Sequence, residues 1–211
     1  MKVLLVNGSP HKDGCTYTAL TEVANALNEE DIETEIFWIE NKPIGGCIAC
    51  GGCREKGKCV FDDVVNRFVE KAKDADGFVF GTAVHYAGAT GNITAFMDRV
   101  FYSMSCSGHS DYLMYKPAAT ISSARRAGTT ATYDQMNKYF GITQMPIISS
   151  RYWNMVHGNT PDDVRKDEEG MQIMRILGRN MAFYLKCIEA GKRAGVKMPK
   201  VEKCMFTNFI K

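Results

Sequence analysis

Five short apolar runs alternate with segments of helical periodicity, and this alternation restricts the chain to few folds. The runs occupy residues 3–6, 34–39, 77–80, 118–121 and 146–148. The first is continuous and precedes a turn signal at residues 7–10, as in a strand that is buried on both faces. Strands that alternate with helices indicate a parallel sheet covered by helices on both sides. We therefore predict an α/β fold with a doubly wound, five-stranded parallel sheet in the order 2-1-3-4-5.

The helical segments fit this architecture. Between residues 93 and 104 the apolar side chains recur at i, i+3, i+4, i+7, i+8 and i+11, which is the clearest amphipathic helix of the chain. Thr160 followed by Pro161 indicates a helix start, and Gly141 indicates a helix end. In doubly wound sheets ligands bind beyond the carboxyl ends of the strands. The candidate loops are therefore residues 8–16, 43–59, 81–91, 122–130 and 149–159.

Chain length and net charge limit the number of domains and the classes of binding partner. The 211 residues suit one domain, predicted to span residues 1–211 with a Cys-rich loop at residues 43–60. A net charge of +2 argues against a nucleic acid or membrane-surface partner. The longest uncharged stretch, residues 77–97, contains too many Gly and Thr residues for a membrane span. We expect a cytoplasmic protein.

The loop after the first strand is a candidate phosphate site. Its sequence is GSPHKDGCT, residues 8–16. The start of the following helix exposes backbone N–H groups, and Ser9 and Thr16 add hydroxyl donors. The loop lacks both the P-loop ending and the dinucleotide fingerprint, which argues against a nucleoside triphosphate and against a Rossmann-type NAD domain. The alternative is an ordinary strand–helix turn in which Thr16 caps the helix.

This loop resembles the GSPRxxGNT motif of the flavodoxin-like NADPH-dependent FMN reductases, with His11 in place of Arg and Cys15 in place of Asn. The resemblance implies a flavodoxin-like fold and an FMN phosphate held here. With one phosphate loop and no second nucleotide fingerprint, we expect the flavin to be FMN and not FAD. The residues it implies are Ser9, His11, Gly14, Cys15 and Thr16.

A second segment, residues 81–99, resembles the family motif GTPVYxG…KAFxDR, with Ala83 in place of Pro. The resemblance implies that the backbone of residues 83–87 lies against the flavin ring. Tyr86 either stacks on the ring or packs as a half-buried residue. The cofactor-binding residues implied here are Ala83, Val84, His85, Tyr86 and Ala87. We assign no catalytic residue, because flavin hydride chemistry requires no protein acid.

The loop after the fourth strand adds Ser123, Arg126 and Gly128 to the predicted flavin site. An Arg at this position can face the pyrimidine edge of the flavin, where negative charge develops on reduction. The alternative is a solvated basic turn. The aromatic loop at residues 152–158 resembles a segment near the flavin in related proteins.

Four of the eight cysteines lie within 13 residues, as Cys47-x2-Cys50-x2-Cys53-x5-Cys59. Four thiolates in a Gly-rich loop can hold one [4Fe–4S] cluster, and this spacing resembles the iron–sulfur flavoproteins. Zinc usually takes two separated Cys pairs, and a metal-free loop is the other alternative. The remaining cysteines, at positions 15, 106, 187 and 204, are predicted to be packing residues.

The resemblance implies an FMN-dependent oxidoreductase that passes electrons from NAD(P)H or a ferredoxin-type carrier to a small-molecule or protein acceptor. It also implies a homodimer or homotetramer in which subunits complete each other's flavin pockets. The alternative function is a non-enzymatic flavodoxin-like electron carrier or a flavin-binding sensor.

Overall fold

The computed structural model describes residues 1–202 and 204–209. Residues 203, 210 and 211, which the predicted domain includes, lie outside the described residues. The strands are β1 (Lys2–Asn7), β2 (Glu33–Trp38), β3 (Gly77–His85), β4 (Gly88–Ala89), β5 (Ala118–Ala124) and β6 (Met155–His157). The helices are α1 (Cys15–Asn28), α2 (Cys53–Lys56), α3 (Val64–Ala72), α4 (Gly91–Ser107), α5 (Thr129–Ile142), α6 (Pro161–Lys166) and α7 (Glu168–Arg193). A 3-10 turn spans Ser110–Tyr112.

The main sheet is parallel, with strand order β2-β1-β3-β5-β6. Counting the parallel strands alone, this is the predicted order 2-1-3-4-5, so the predicted fold class is confirmed. The short β4 was not predicted. It pairs antiparallel with the end of β3 and forms a hairpin beyond the sheet.

The prediction of the fifth strand was wrong in its position. Residues 146–148 make only a single parallel bridge to β5, between Ile147 and Ala118. The strand that borders the other end of β5 is β6, which lies inside the segment predicted as an aromatic loop. Proline has no N–H to donate, and Pro146 instead accepts a hydrogen bond at its carbonyl from Ala118 N, at 2.9 Å. The chain therefore touches the edge of β5 twice, and residues 149–153 leave the ladder between the two contacts, since Asn154 O already accepts from Ser122 N at 3.0 Å.

The core consists of two apolar layers, one on each face of the sheet. Successive side chains of β1 point to opposite layers. Leu4 and Val6 face α3 and α4, whereas Val3 and Leu5 face α1 and α7. The first layer is aromatic, and Phe68 lies at its centre, 5.2 Å from Phe96 between ring centroids. The second layer is aliphatic. Both faces are covered, as the continuous apolar runs predict.

Local signals place several helix ends. Thr160 begins α6 with a capping box to Asp163, and Pro161 occupies the first helical position, as predicted. Helix α5 continues one residue past the predicted stop at Gly141 and ends at Ile142.

In the described part of the chain, no helix has the length and apolar character that crossing a membrane requires.

Candidate functional site

The loop from β1 to α1 is organised by a buried side chain that the sequence motif did not single out. Asn7 has no exposed surface. Its Oδ1 accepts a hydrogen bond from Ser9 N at 3.0 Å, and its Nδ2 donates to Lys12 O at 2.9 Å. A second missed residue, Trp38 at the end of β2, donates from Nε1 to Ser9 O at 2.9 Å. A polar residue directly after a buried apolar run was the signal for Asn7.

The predicted phosphate-binding residues lie together at the start of α1. Ser9 and Thr16 are buried, with 3% and 1% of their surface exposed. Gly14 is the N-cap of α1 and provides no side-chain cap, so the first N–H groups of the helix remain available to an anion. This geometry rules out the alternative in which Thr16 caps the helix, since Thr16 lies inside the first turn.

The other two predicted members of this loop differ in exposure. His11 is exposed, and its backbone N donates to Ser9 Oγ at 3.2 Å. Cys15 is half-buried and directs its thiol to Gly158 O at 3.8 Å. Burial raises the pKa of Cys15, with the nearby Asp163 carboxylate adding to the effect. The predicted anion contact of Cys15 would therefore be made by its backbone N–H and not by its thiol.

The loop after β5 meets the first loop through a pair of hydroxyls. Thr16 Oγ1 and Ser123 Oγ are 2.8 Å apart, although 107 residues separate them. Ser123 is itself 5% exposed. The predicted Arg126 is exposed at the following turn. The sheet order thus brings two predicted polar residues from different loops into one buried contact.

The β3–β4 hairpin carries the second predicted segment. Ala83 and Val84 are half-buried, whereas His85, Tyr86 and Ala87 are exposed. Tyr86 and Ala87 form the hairpin turn with φ angles of 50° and 59°. Two consecutive non-glycine residues at positive φ cost free energy, and such strain is common at functional sites. Tyr86 is fully exposed, so its alternative assignment as a half-buried packing residue was wrong.

Gly128 lets the hairpin and the β5 loop approach each other. A Cβ on Gly128 would lie 2.5 Å from Ala87 Cα, and its φ of +94° also disfavours a side chain. Thr90, the N-cap of α4, donates from Oγ1 to Gly8 O at 3.3 Å. Gly8 N donates to Gly81 O at 2.8 Å. The three predicted flavin-site loops are therefore joined by direct contacts.

The Cys-rich loop joins β2 to α3 and, like the flavin-site loops, begins at the carboxyl edge of the sheet. Asn92 at the start of α4 donates to Lys42 O at 3.0 Å, which attaches the loop to the helix that follows the hairpin. The prediction of an unbroken loop over residues 43–59 was wrong, because Cys53 begins the short helix α2. Cys53 is buried, Cys59 is half-buried, and Cys47 and Cys50 are exposed.

All four predicted cluster cysteines line one small cavity, together with Arg99 and Tyr102. Among the described residues, however, no three His, Cys, Asp or Glu side chains are close enough together to coordinate a metal ion. The donor set suits a [4Fe–4S] cluster, since four free thiols face one cavity. Coordination of one cluster requires the four thiols to lie closer together than they do here, and Gly45 and Gly46 in the same loop have open space around them.

One further residue of this region, Arg99, was missed as a site residue. Arg99 is 1% exposed and donates to Cys59 Sγ and to the Asp63 carboxylate. Burial lowers the pKa of Arg99, but hydrogen bonds to Asp63 and Cys59 outweigh it, and the net pKa is raised. The guanidinium is therefore charged. Arg99 falls within the second motif, but only its contacts connect it with the cysteines.

The cysteines outside the motif are not all packing residues. Cys187 and Cys204 are exposed, so that prediction was wrong for both. Cys106 is half-buried in α4 beside the motif. Burial raises the pKa of Cys53, and the adjacent Cys106 thiol contributes to the rise.

Comparison with known proteins gives consistent matches. The family model described as NADPH-dependent FMN reductase matches residues 1–160. An iron–sulfur flavoprotein of Methanocaldococcus jannaschii is 31% identical over 200 residues, which cover 90% of this chain and all of that protein. An iron–sulfur flavoprotein of Methanosarcina thermophila is 25% identical over 194 residues, covering 91% of this chain and 99% of that protein.

A solved flavodoxin from the domain Archaea matches in fold. Its TM-score is 0.58 at 13% identity, over 88% of this chain and 99% of that chain. At this identity the match supports the flavodoxin-like fold alone.

Proposed function

Since this chain belongs to the NADPH-dependent FMN reductase family, we propose that it is an FMN-dependent oxidoreductase. Its electrons come from NAD(P)H or from a reduced ferredoxin-type carrier, and they pass to a small-molecule or protein acceptor. FMN, when bound, supplies the hydride and single-electron chemistry. The protein's own residues bind the cofactor, orient it and control what reaches it.

The observation that carries this proposal is the junction of three loops at the carboxyl edge of the sheet. Thr16 contacts Ser123, and Gly8 contacts Thr90, so the loops form one continuous rim. Doubly wound sheets bind ligands at this edge. We propose that the FMN phosphate is held by the hydroxyls of Ser9 and Thr16 and by the free N–H groups at the start of α1.

The remaining loop residues suit the ring of the flavin. The residues at the end of β3 offer small side chains, and Tyr86 presents an exposed aromatic face. We propose that Ala83–Ala87 orients one side of the ring and that Tyr86 covers its edge. Arg126 is exposed beside this region and supplies a positive charge that stabilises the reduced, more negative cofactor.

We further propose a [4Fe–4S] cluster on Cys47, Cys50, Cys53 and Cys59. The four free thiols line one cavity, and the two relatives are themselves named iron–sulfur flavoproteins. A cluster supplies single electrons, which fits a ferredoxin-type donor.

We also propose a reducing compartment such as the cytoplasm, because all eight cysteines are unpaired.

The experiment is purification without oxygen followed by three measurements. We expect an absorption spectrum of bound flavin, FMN and not FAD on extraction, and oxidation of NAD(P)H or of a reduced ferredoxin in the presence of a quinone. Bound FAD would contradict the cofactor assignment. Bound FMN without turnover from either donor would favour the carrier or sensor function.

A further inference from the structure

Arg99 is a buried cation that contacts the Cys-rich loop at both of its ends. It projects from α4 and is 1% exposed. At the end of the loop, Nε and Nη2 both donate to Cys59 Sγ at 3.3 Å. At the beginning of the loop, Nη1 donates to Gly45 O at 3.3 Å. One guanidinium therefore connects the segment before Cys47 with the last cysteine of the motif.

The same guanidinium also holds the chain just after the loop. Nη1 and Nη2 donate to the two carboxylate oxygens of Asp63 at 2.6 and 2.9 Å. Nη2 also contacts Phe61 O at 3.4 Å, and the guanidinium lies 4.9 Å from the Phe61 ring centroid. All these partners lie between residues 45 and 63. A planar fork with five donors can serve so many acceptors, and a Lys cannot.

The Asp63 carboxylate neutralises the positive charge of Arg99 only in part, and the remaining charge acts on the sulfur of Cys59. Asp63 is 36% exposed at its side chain and also caps α3 by accepting from Val65 N at 3.0 Å. Water and the helix N-terminus therefore share that carboxylate. Cys59 receives two N–H donors from a buried charge, and hydrogen bonds to ligand sulfurs are among the features that set the potential of an iron–sulfur cluster.

We propose that Arg99 is a positioning residue that fixes Cys59 Sγ and raises the reduction potential of the cluster held by the loop. This inference rests on the proposed function. Reduction adds negative charge to the cluster and its thiolates. Donors and positive charge at Cys59 stabilise that state more than the oxidised one.

Two variants test the inference. R99K keeps the charge but loses the fork, and R99M combined with D63N removes the pair without leaving an unpaired carboxylate, while Asn still caps α3. The matched control is R67K, whose native Arg forms an exposed ion pair with Glu40 in the same region. Cluster potentials are measured by anaerobic redox titration, and amide exchange of residues 45–63 is measured on iron-free protein.

We expect the reduced-to-oxidised ratio at the wild-type midpoint to fall about tenfold in R99M/D63N, which is ~59 mV for a one-electron couple. R99K should lie between this variant and the wild type, and R67K should match the wild type. Amide exchange over residues 45–63 should be faster in both Arg99 variants, because the loop ends are no longer joined.

The outcomes separate this inference from the proposed function. Wild-type protein with a cluster whose potential is unchanged in both Arg99 variants would overturn the role of Arg99 and leave the cluster standing. Faster exchange with an unchanged potential would reduce Arg99 to a structural residue and also overturn the inference. Wild-type protein without iron would overturn both.

Discussion

At the residue scale, the candidate flavin site depends on polar side chains that are buried. Asn7, Ser9, Thr16 and Ser123 all have 5% or less of their surface exposed. Burying a polar group costs free energy unless it is hydrogen-bonded, and each of these residues has a partner within its own loop or in a neighbouring one. The site is therefore largely organised before any cofactor arrives, which lowers the cost of binding.

The first residue-scale prediction concerns the phosphate hydroxyls. Ser9→Ala combined with Thr16→Val should weaken FMN binding at least about tenfold, since a hydrogen bond to a charged group contributes ~1.5–3 kcal/mol. The control is Thr21→Val, because Thr21 is in the same helix and, within the described part of the chain, its hydroxyl donates to Tyr17 O alone. Flavin fluorescence titration measures the affinity. Equal affinity in the double variant and the control would remove the phosphate from this loop.

At the element scale, α7 covers one face of the sheet by lying directly on α1. A Cβ on Gly178 would lie 2.8 Å from both Ala26 Cβ and Val23 O, so the two helices meet where the side chain is missing. Ion pairs flank this contact, such as Arg175 with Glu22 at 2.6 Å. These pairs are partly exposed and contribute little, so we expect the apolar packing that this close approach allows to contribute more to the stability of this face.

Gly178→Ala should destabilise the protein by about 1–3 kcal/mol, because backbone must move to admit the methyl group. Gly191→Ala in the same helix is the control. Its Cβ would meet only Val196 at 3.8 Å, an ordinary contact, and the change should be neutral or stabilise by up to about 1 kcal/mol. Urea unfolding followed by circular dichroism compares the two variants. A neutral Gly178→Ala would show that α1 and α7 separate easily.

The second prediction at the element scale concerns the iron and sulfide content of the Cys-rich loop. Anaerobic protein should contain about four irons and four sulfides per chain, the stoichiometry of a [4Fe–4S] cluster. Replacement of any one of Cys47, Cys50, Cys53 or Cys59 by Ser should lower the iron content but leave FMN bound, since the phosphate loop is separate. The exposed Cys187 provides the control, and its Ser variant should retain all the iron.

Two other results would contradict the cluster. Zinc without sulfide would make the loop a structural metal site. Flavin with no metal at all would leave a cluster-free FMN enzyme.

At the scale of the whole molecule, exposed aromatic pairs suggest where copies meet. Tyr152 and Trp153, half-exposed at 50% and 49%, pack edge to face at 4.6 Å just before β6. This pair lies within residues 149–159, one of the loops predicted at the carboxyl ends of the strands, and aromatic residues are enriched in interface cores. We predict that this surface contributes to a homo-oligomer.

Flavin-loaded protein at micromolar concentration should sediment as a species larger than the 23.5 kDa chain. Tyr152→Ser with Trp153→Ser should shift it towards the monomer. The control is Phe183→Ser with Tyr184→Ser, another exposed edge-to-face pair, located on α7. A monomeric wild type would refute the oligomer, and dissociation by the control pair alone would assign the interface to α7.

The sequence by itself determined the features that repeat locally. Alternating apolar runs and helical periodicity predicted the parallel sheet and its order, because burial on two faces leaves few arrangements. Gly, hydroxyl and Cys residues marked the loops at the carboxyl edge. Strand β6 was missed because its three residues are recognisable only by their pairing with β5.

Tertiary structure alone decided which distant residues touch. The contact of Thr16 with Ser123, and that of Arg99 with Gly45 and Cys59, join residues that are 107, 54 and 40 positions apart. No local pattern encodes such pairs, since they arise only when the sheet order brings separate loops to one edge. Burial makes these contacts important for stability, because a charge or hydroxyl removed from water must find its partner within the protein.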